Sequence, residues 1–185
     1  MSLDRTASTS TPSPSVGFLT VALHPPHGLF GGYLLLNAAA RPLEFHCTAP
    51  VKPNRAQEIL YGPTLEAFLY GEQIAATLLR QAKTGPVLVC TDLPPVLSAR
   101  ESVELPVTWV QAIDEESTCE PTTSPEAAST ERFDCGRFRF AVPRANADDR
   151  QTVEHCVQTH LAEMDLCEPF DRIRQAIEEA QTAGG

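Results

Sequence analysis

Between Gly17 and Thr48 the chain sets down three apolar segments separated by short turns. Neighbouring parallel strands need a crossover of about a dozen residues or more, so turns this short predict an antiparallel meander. The first strand is read over Gly17 to Leu23. It ends at His24-Pro25-Pro26-His27-Gly28, where two prolines restrict the backbone and remove donors. Gly31-Gly32 precede a short buried strand, Tyr33 to Leu36, and Asn37 to Pro42 forms a loop. From Leu43 to Thr48 the side chains alternate, with Leu43, Phe45 and Cys47 on one face and Glu44, His46 and Thr48 on the other. That period of two marks a half-exposed third strand.

Helical signals follow. Asn54 can cap a short turn running to Leu60, and Thr64 is placed to cap the longer helix behind it, with Glu66 in its first turn. Leu65, Phe68, Leu69, Ile74, Ala75, Ala76, Leu78 and Leu79 give that helix an apolar face wide enough to lie across a sheet. Lys83 falls in its last turn, and Gly85-Pro86 stop it. Val87 to Cys90 reads as a fourth strand ending at Thr91-Asp92, and Pro94-Pro95 enforce a break. Leu105 to Val110 reads as a fifth strand, with Pro106 confining it to an edge or to its later residues. Arg137 to Val142 is a further strand before Pro143. Asp148-Asp149 open a helix striped by Val153, Cys156, Val157, His160, Leu161 and Met164, and Glu168-Pro169 begin the last, with Phe170, Ile173, Ala176 and Ile177 at helical spacing.

These elements predict an α+β fold, a mainly antiparallel mixed sheet in the order βββαββ-loop-βαα with helices packed on it. Residues 1–15 are read as a disordered tail, 16–112 as the α+β core, and 113–132 as an acidic disordered linker or long loop. The strand and two helices of 133–182 are expected to complete the same domain. The run from Asp114 to Glu131 has no periodicity and almost no large apolar side chain, so burial cannot offset the entropy of ordering it. Leu35, Phe45, Leu69, Leu79, Leu88 and Val89 are expected to be buried together.

Charge is unevenly spread. Residues 1–110 balance to −1 and residues 111–185 to −9, within a net charge of −10. That sum, with 6% aromatic residues and no interleaving of basic and aromatic side chains, excludes nucleic acid as a partner in this reading. No apolar run approaches the roughly 18 residues of a membrane span, so no membrane partner is expected. Val16 to Leu23 is no longer than a minimal signal-peptide core, and it lacks both a nearby basic region and a small-residue cleavage site. The protein is therefore expected in the cytoplasm.

Six cysteines (Cys47, Cys90, Cys119, Cys135, Cys156 and Cys167) include no CxxC pair, which weighs against a zinc ribbon and a thioredoxin-like couple. Without a secretion signal they are expected to be reduced. Cys156 and His160 are four apart on one helix face and can chelate a metal only if Cys167, Cys135 or Cys47 completes the site; His155 points elsewhere. Burial in the apolar stripe accounts for both without a metal. His46 and Cys47 are adjacent on a strand, so their side chains project to opposite faces and form no dyad. Cys90 lies inside an apolar strand, where burial dulls a thiol. A dyad would need His24, His27 or His160 brought in by the fold. Gly31-Gly32 lack the rest of a P-loop or dinucleotide fingerprint, and Lys52 with Arg55 is a weak anion site at most.

Over roughly residues 16–92 the order of elements resembles the RNase H-like fold, which begins with three antiparallel strands, a helix, and a strand returning beside the first. The resemblance implies a two-metal nuclease with carboxylates from the first strand, the first helix, the end of the fourth strand and a late helix. On this chain Glu66 or Glu72, Asp92, and Asp148 or Asp149 match three of those places. The first strand, GFLTVAL, has no acid. The reading preferred from sequence is a non-catalytic binding or adaptor domain with a protein partner and no metal or cofactor. The alternative is a small hydrolase with a Cys/His/Asp site, or a degenerate RNase H-like nuclease fold.

Overall fold

The computed structural model describes residues 14–113 and 129–183. The N-terminal tail up to residue 13 and the body of the acidic linker, residues 114–128, lie outside the described residues, as does Cys119. The fold is α+β, built on one seven-stranded mixed sheet in the order β3-β2-β1-β4-β5-β7-β6. The strands are β1 Ser15–His24, β2 Gly28–Asn37, β3 Pro42–Cys47, β4 Leu88–Thr91, β5 Val107–Ala112, β6 Thr130–Cys135 and β7 Phe138–Pro143. The first three pair as the antiparallel meander the short turns require. β4 runs parallel to β1 and β5 parallel to β4, while β7 and β6 return antiparallel.

β6 is a strand that the linker boundary at residue 132 overran. Only Phe133 among its six residues is buried, so the segment carries no visible alternation. It is an edge strand joined to β7 through a tight turn in which Gly136 adopts φ +61. Phe45 corrects the expected core for a similar reason. It lies on β3 at the other sheet edge and is 41% exposed, while Leu35, Leu69, Leu79, Leu88 and Val89 are buried.

Helices cover both faces. The helices are α1 (Arg55–Tyr61), α2 (residues 65–81), α3 (residues 149–161) and α4 (Glu168–Ala183). Asn54 caps α1 as read, its side chain accepting from the Gln57 N–H at 2.9 Å. Thr64 does not cap α2. A single 3-10 turn, Gly62–Thr64, joins the two helices, and the Thr64 hydroxyl donates back to the Tyr61 carbonyl. α2 packs on the face carrying Leu19, Tyr33, Leu35 and Val89. α3 and α4 pack on the opposite face, against Phe18, Leu34, Leu88, Cys90 and Phe140. The expected core residues are thus split between two layers, with Leu88 on one and Val89 on the other.

Gly31-Gly32 take their meaning from this sandwich. A Cβ on Gly31 would stand 2.1 Å from Ile74 of α2, and one on Gly32 would stand 2.2 Å from Ile173 of α4. Only bare backbone lets two helices approach the same point of β2 from both sides.

A π-helical stretch, Phe68–Ala75, bends α2 around the 3-10 segment Pro94–Glu101, where Ser98 donates to the Ala67 carbonyl at 2.7 Å. Gly71 sits at that crossing. A Cβ there would lie 1.8 Å from Ser98 Oγ and 2.8 Å from the Ala99 backbone nitrogen. Alanine's helix preference over glycine is worth about 1 kcal/mol, which that overlap outweighs. Gly71→Ala should lower stability by about 1–3 kcal/mol in urea unfolding.

Glu44 ties the end of α2 to β3. Its carboxylate accepts from the backbone N–H groups of Lys83 and Thr84 at 2.9 and 2.7 Å and lies 3.0 Å from His46 Nε2. Hydrogen bonds from Thr84, then His46, then Lys83 hold its carboxyl down at about 2. The folded value lies below the unfolded one of about 4.3, so the stabilisation is complete above that pH. It fades as the pH falls towards about 2. The stability gap between wild type and Glu44→Gln should therefore shrink across that window in acid titrations of the unfolding midpoint.

Candidate functional site

Alternation along β1 places Phe18 and Thr20 on the face covered by α4, and alternation along β4 places Leu88, Cys90 and Asp92 there too. The parallel register sets Phe18 beside Cys90 and Leu19 beside Thr91. Two residues further along, Thr20 and Asp92 become neighbours at the strand ends. Phe170 of α4 meets Phe18 edge to face, with ring centroids 5.7 Å apart. One helical turn on from Phe170, Arg174 reaches over the strand ends.

Arg174 Nη2 donates to Asp92 Oδ2 and approaches Thr20 Oγ1 at 3.4 Å, while Nη1 donates to Asp171 Oδ1 at 3.1 Å. The guanidinium thus lies against two carboxylates and a fully buried threonine hydroxyl. The second oxygen of Asp92, Oδ1, is buried without a hydrogen-bond partner. Beside the pair is a cavity of about 240 Å³ bordered by Gln111, Cys167 and Phe170. Burial pushes the Cys167 thiol up, and the nearby carboxylates of Asp165, Asp92 and Asp171 push the same way.

This is the position at which the RNase H-like resemblance implies divalent metal ions, and the residues present do not fit them. β1 contributes Thr20 where an acid is needed, and one oxygen of Asp92 is already bonded to an arginine. Among the described residues no group of three or more His, Cys, Asp or Glu can hold a metal ion. Glu66 and Glu72 are exposed on α2, which covers the opposite face of the sheet from Asp92. Asp148 is exposed, and Asp149 is buried in a bidentate pair with Arg100, at 2.7 and 3.3 Å. The five candidate carboxylates are therefore dispersed, and only Asp92 lies at the site.

The cysteine readings also resolve. Cys156 is 3% exposed in the core, and burial pushes its thiol up to about 11. It faces Cys90, whose thiol is raised further by complete burial and by the neighbouring Cys156 and Cys167. His160 lies at the protein rim near residues 38–40. It sits in a π-helical turn, Val157–Leu161, so the regular four-residue spacing of one α-helical face does not hold. His46 turns to Glu44, while Cys47 packs on the other face against the α4-side core. His24 packs edge to face on Phe30, 5.6 Å between centroids, and His27 is exposed in the turn. Arg55 pairs with Glu58 on α1, and the Lys52 stem lies over Gly28. The five described cysteines are free thiols.

Thr20 and Arg174 escape a reading of the sequence that seeks acids, and Asp171 escapes one that places the late-helix acid at Asp148 or Asp149. The available signal was Arg174 beside Ile173 and four residues after Phe170, a cation beside the sheet-facing stripe of α4.

No protein-family model and no curated protein matches the chain. Among the solved structures that align with it are two of endonuclease V from Ciona intestinalis in complex with DNA that contains an inosine followed by a ribo-adenosine. A substituted form aligns at 10% identity and a TM-score of 0.42, over 82% of this chain and 80% of that one. A second structure aligns at 10% identity and a TM-score of 0.41, over 80% and 79%. Both neighbours are held on DNA, and the exclusion of a nucleic-acid partner is corrected on that finding. The exclusion rested on net charge, low aromatic content and the lack of basic and aromatic side chains interleaved along the chain, none of which describes a local interface brought together by the fold. Five arginines stand between residues 132 and 150 of this acidic chain. Among the described residues no helix is long and apolar enough to cross a membrane.

The Asp92–Arg174 pair is open to a direct test. Removing Arg174 leaves a partly buried carboxylate with neither oxygen bonded to a side chain. Arg174→Ala should cost about 1–2 kcal/mol, the low end for a broken pair because the arginine keeps solvent contact. Asp92→Asn in the same background should recover part of the loss in a double-mutant cycle.

Proposed function

We propose that this chain is a degenerate RNase H-like domain, in which an arginine supplies the cation that the fold otherwise takes from metal, and that it acts by binding. The observation that carries the reading is Arg174 bonded to Asp92 and leaning on Thr20, at the junction of β1, β4 and the late helix. A guanidinium with its charge already matched by Asp92 and Asp171 neither activates water nor clamps a phosphodiester. The five free thiols support a reducing, cytoplasmic setting. Nucleic acid belongs among the partners to be tried, as a ligand held and not cut.

Calorimetric titration of the purified protein with magnesium and manganese should give no saturable binding. Labelled single- and double-stranded DNA and RNA should remain intact in the presence of either ion. Metal-dependent cleavage that disappears in Asp92→Asn would overturn the reading. Replacing the arginine and restoring an acid together, as Thr20→Asp with Arg174→Ala, should create divalent-ion binding that the wild type lacks.

A further inference from the structure

A second cavity, of about 300 Å³, opens between the 3-10 segment Pro94–Glu101 and the strands β5 to β7. We propose that it binds a nucleobase, either of a free nucleoside or of an unpaired strand. This goes beyond the degenerate-nuclease reading and does not depend on the Asp92–Arg174 pair.

The floor is apolar and includes Leu97, Ala141 and Pro95, with Trp109 beside them. The indole is held in one orientation because its Nε1–H donates to the Asp92 carbonyl at 3.2 Å. A fixed aromatic plane loses little entropy when a ligand stacks on it. The Arg132 guanidinium lies over the same ring, 5.8 Å from its centroid. That is near the outer limit of about 6 Å for a cation–π contact. A planar ring between the two needs about 3.5–4 Å on each side. Arg132 is exposed and makes no hydrogen bond or ion pair among the described residues, so it can withdraw the small remaining distance.

The polar groups at this cavity narrow the ligand class. The side chains of Glu101 and Asn146 line it and hold no hydrogen bond or ion pair among the described residues. Asn146 offers a donor and an acceptor, Glu101 an acceptor and Arg132 donors. Glu101 and Arg132 cancel in charge, which favours a neutral guest. A flat, neutral ring with donors and acceptors along its edge is the chemistry of a nucleobase. A saturated ring of the same size fills the volume but uses neither the indole face nor the polar edge.

Trp109 is the chain's single tryptophan and borders both this cavity and the one beside Asp92 and Arg174, so the Ala145→Leu variant assigns any quenching to this cavity. The full-length protein should be titrated with adenosine, guanosine, cytidine and uridine, with a short single-stranded oligonucleotide, and with cyclohexanol as the shape control. Saturable quenching by at least one nucleoside or by the oligonucleotide is expected. Ala145→Leu, at an exposed position lining the cavity, should weaken it about tenfold or more. Arg132→Met should weaken it severalfold. Oligonucleotide affinity at least about tenfold above that of the nucleosides assigns the base to a strand. Equal affinity per base assigns it to a free nucleoside, and either result supports the site. Absence of saturable quenching by every nucleoside and the oligonucleotide overturns it. So does quenching that Ala145→Leu leaves unchanged, or displacement by cyclohexanol at equal concentration.

Discussion

Two helices press on one point of β2 from opposite sides, and the rest of the molecule is arranged around that contact. Ile74 of α2 and Ile173 of α4 would each overlap a side chain at Gly31 and Gly32. The absence of those side chains lets both helices come close enough to bury the central strands on both faces. Leu19 and Leu35 are fully buried on one layer, and Phe18 and Leu36 on the other. Close approach of α4 then carries Phe170 onto Phe18 and brings Arg174 to the ends of β1 and β4. The candidate site follows from how near α4 can lie.

The same approach fixes which groups meet at the site. Metal-assisted phosphodiester chemistry needs carboxylates with free oxygens converging on one point. Here Asp92 and Asp171 meet, and the Arg174 guanidinium has taken an oxygen of each. Asp149 is spent on Arg100, and Glu66 and Glu72 face solvent across the sheet. An arginine is permanently charged and planar, and its fork can bridge Asp92 and Asp171 at once. The pair thus holds the late helix to the sheet. Asp92 also joins the two cavities, since its carbonyl fixes the Trp109 indole while its carboxylate holds Arg174.

Much of the fold was legible in the residues. The meander between Gly17 and Thr48 followed from turn lengths, α2 from its wide apolar face, and the last two helices from their stripes, because local spacing alone specifies those features. The opposed orientation of His46 and Cys47 was also local, being the pleat of a strand. β6 was not legible. An edge strand buries one residue in six here, so its pairing with β7 is specified by a partner strand and by the turn at Gly136.

The sequence by itself determined the strands and helices other than β6, that the first strand carries no acid, and that the chain is acidic chiefly beyond residue 110. These depend on neighbours along the chain or on simple sums. Only the tertiary structure decided that Asp92 meets Arg174, residues 82 positions apart, that Asp149 meets Arg100, and that Cys156 faces Cys90. Such pairings depend on sheet register and on which face each helix covers. No periodicity in the chain encodes the distance of approach between α4 and the sheet. That distance is set where two glycines meet two isoleucines, and the charge pairing at the strand ends is its consequence.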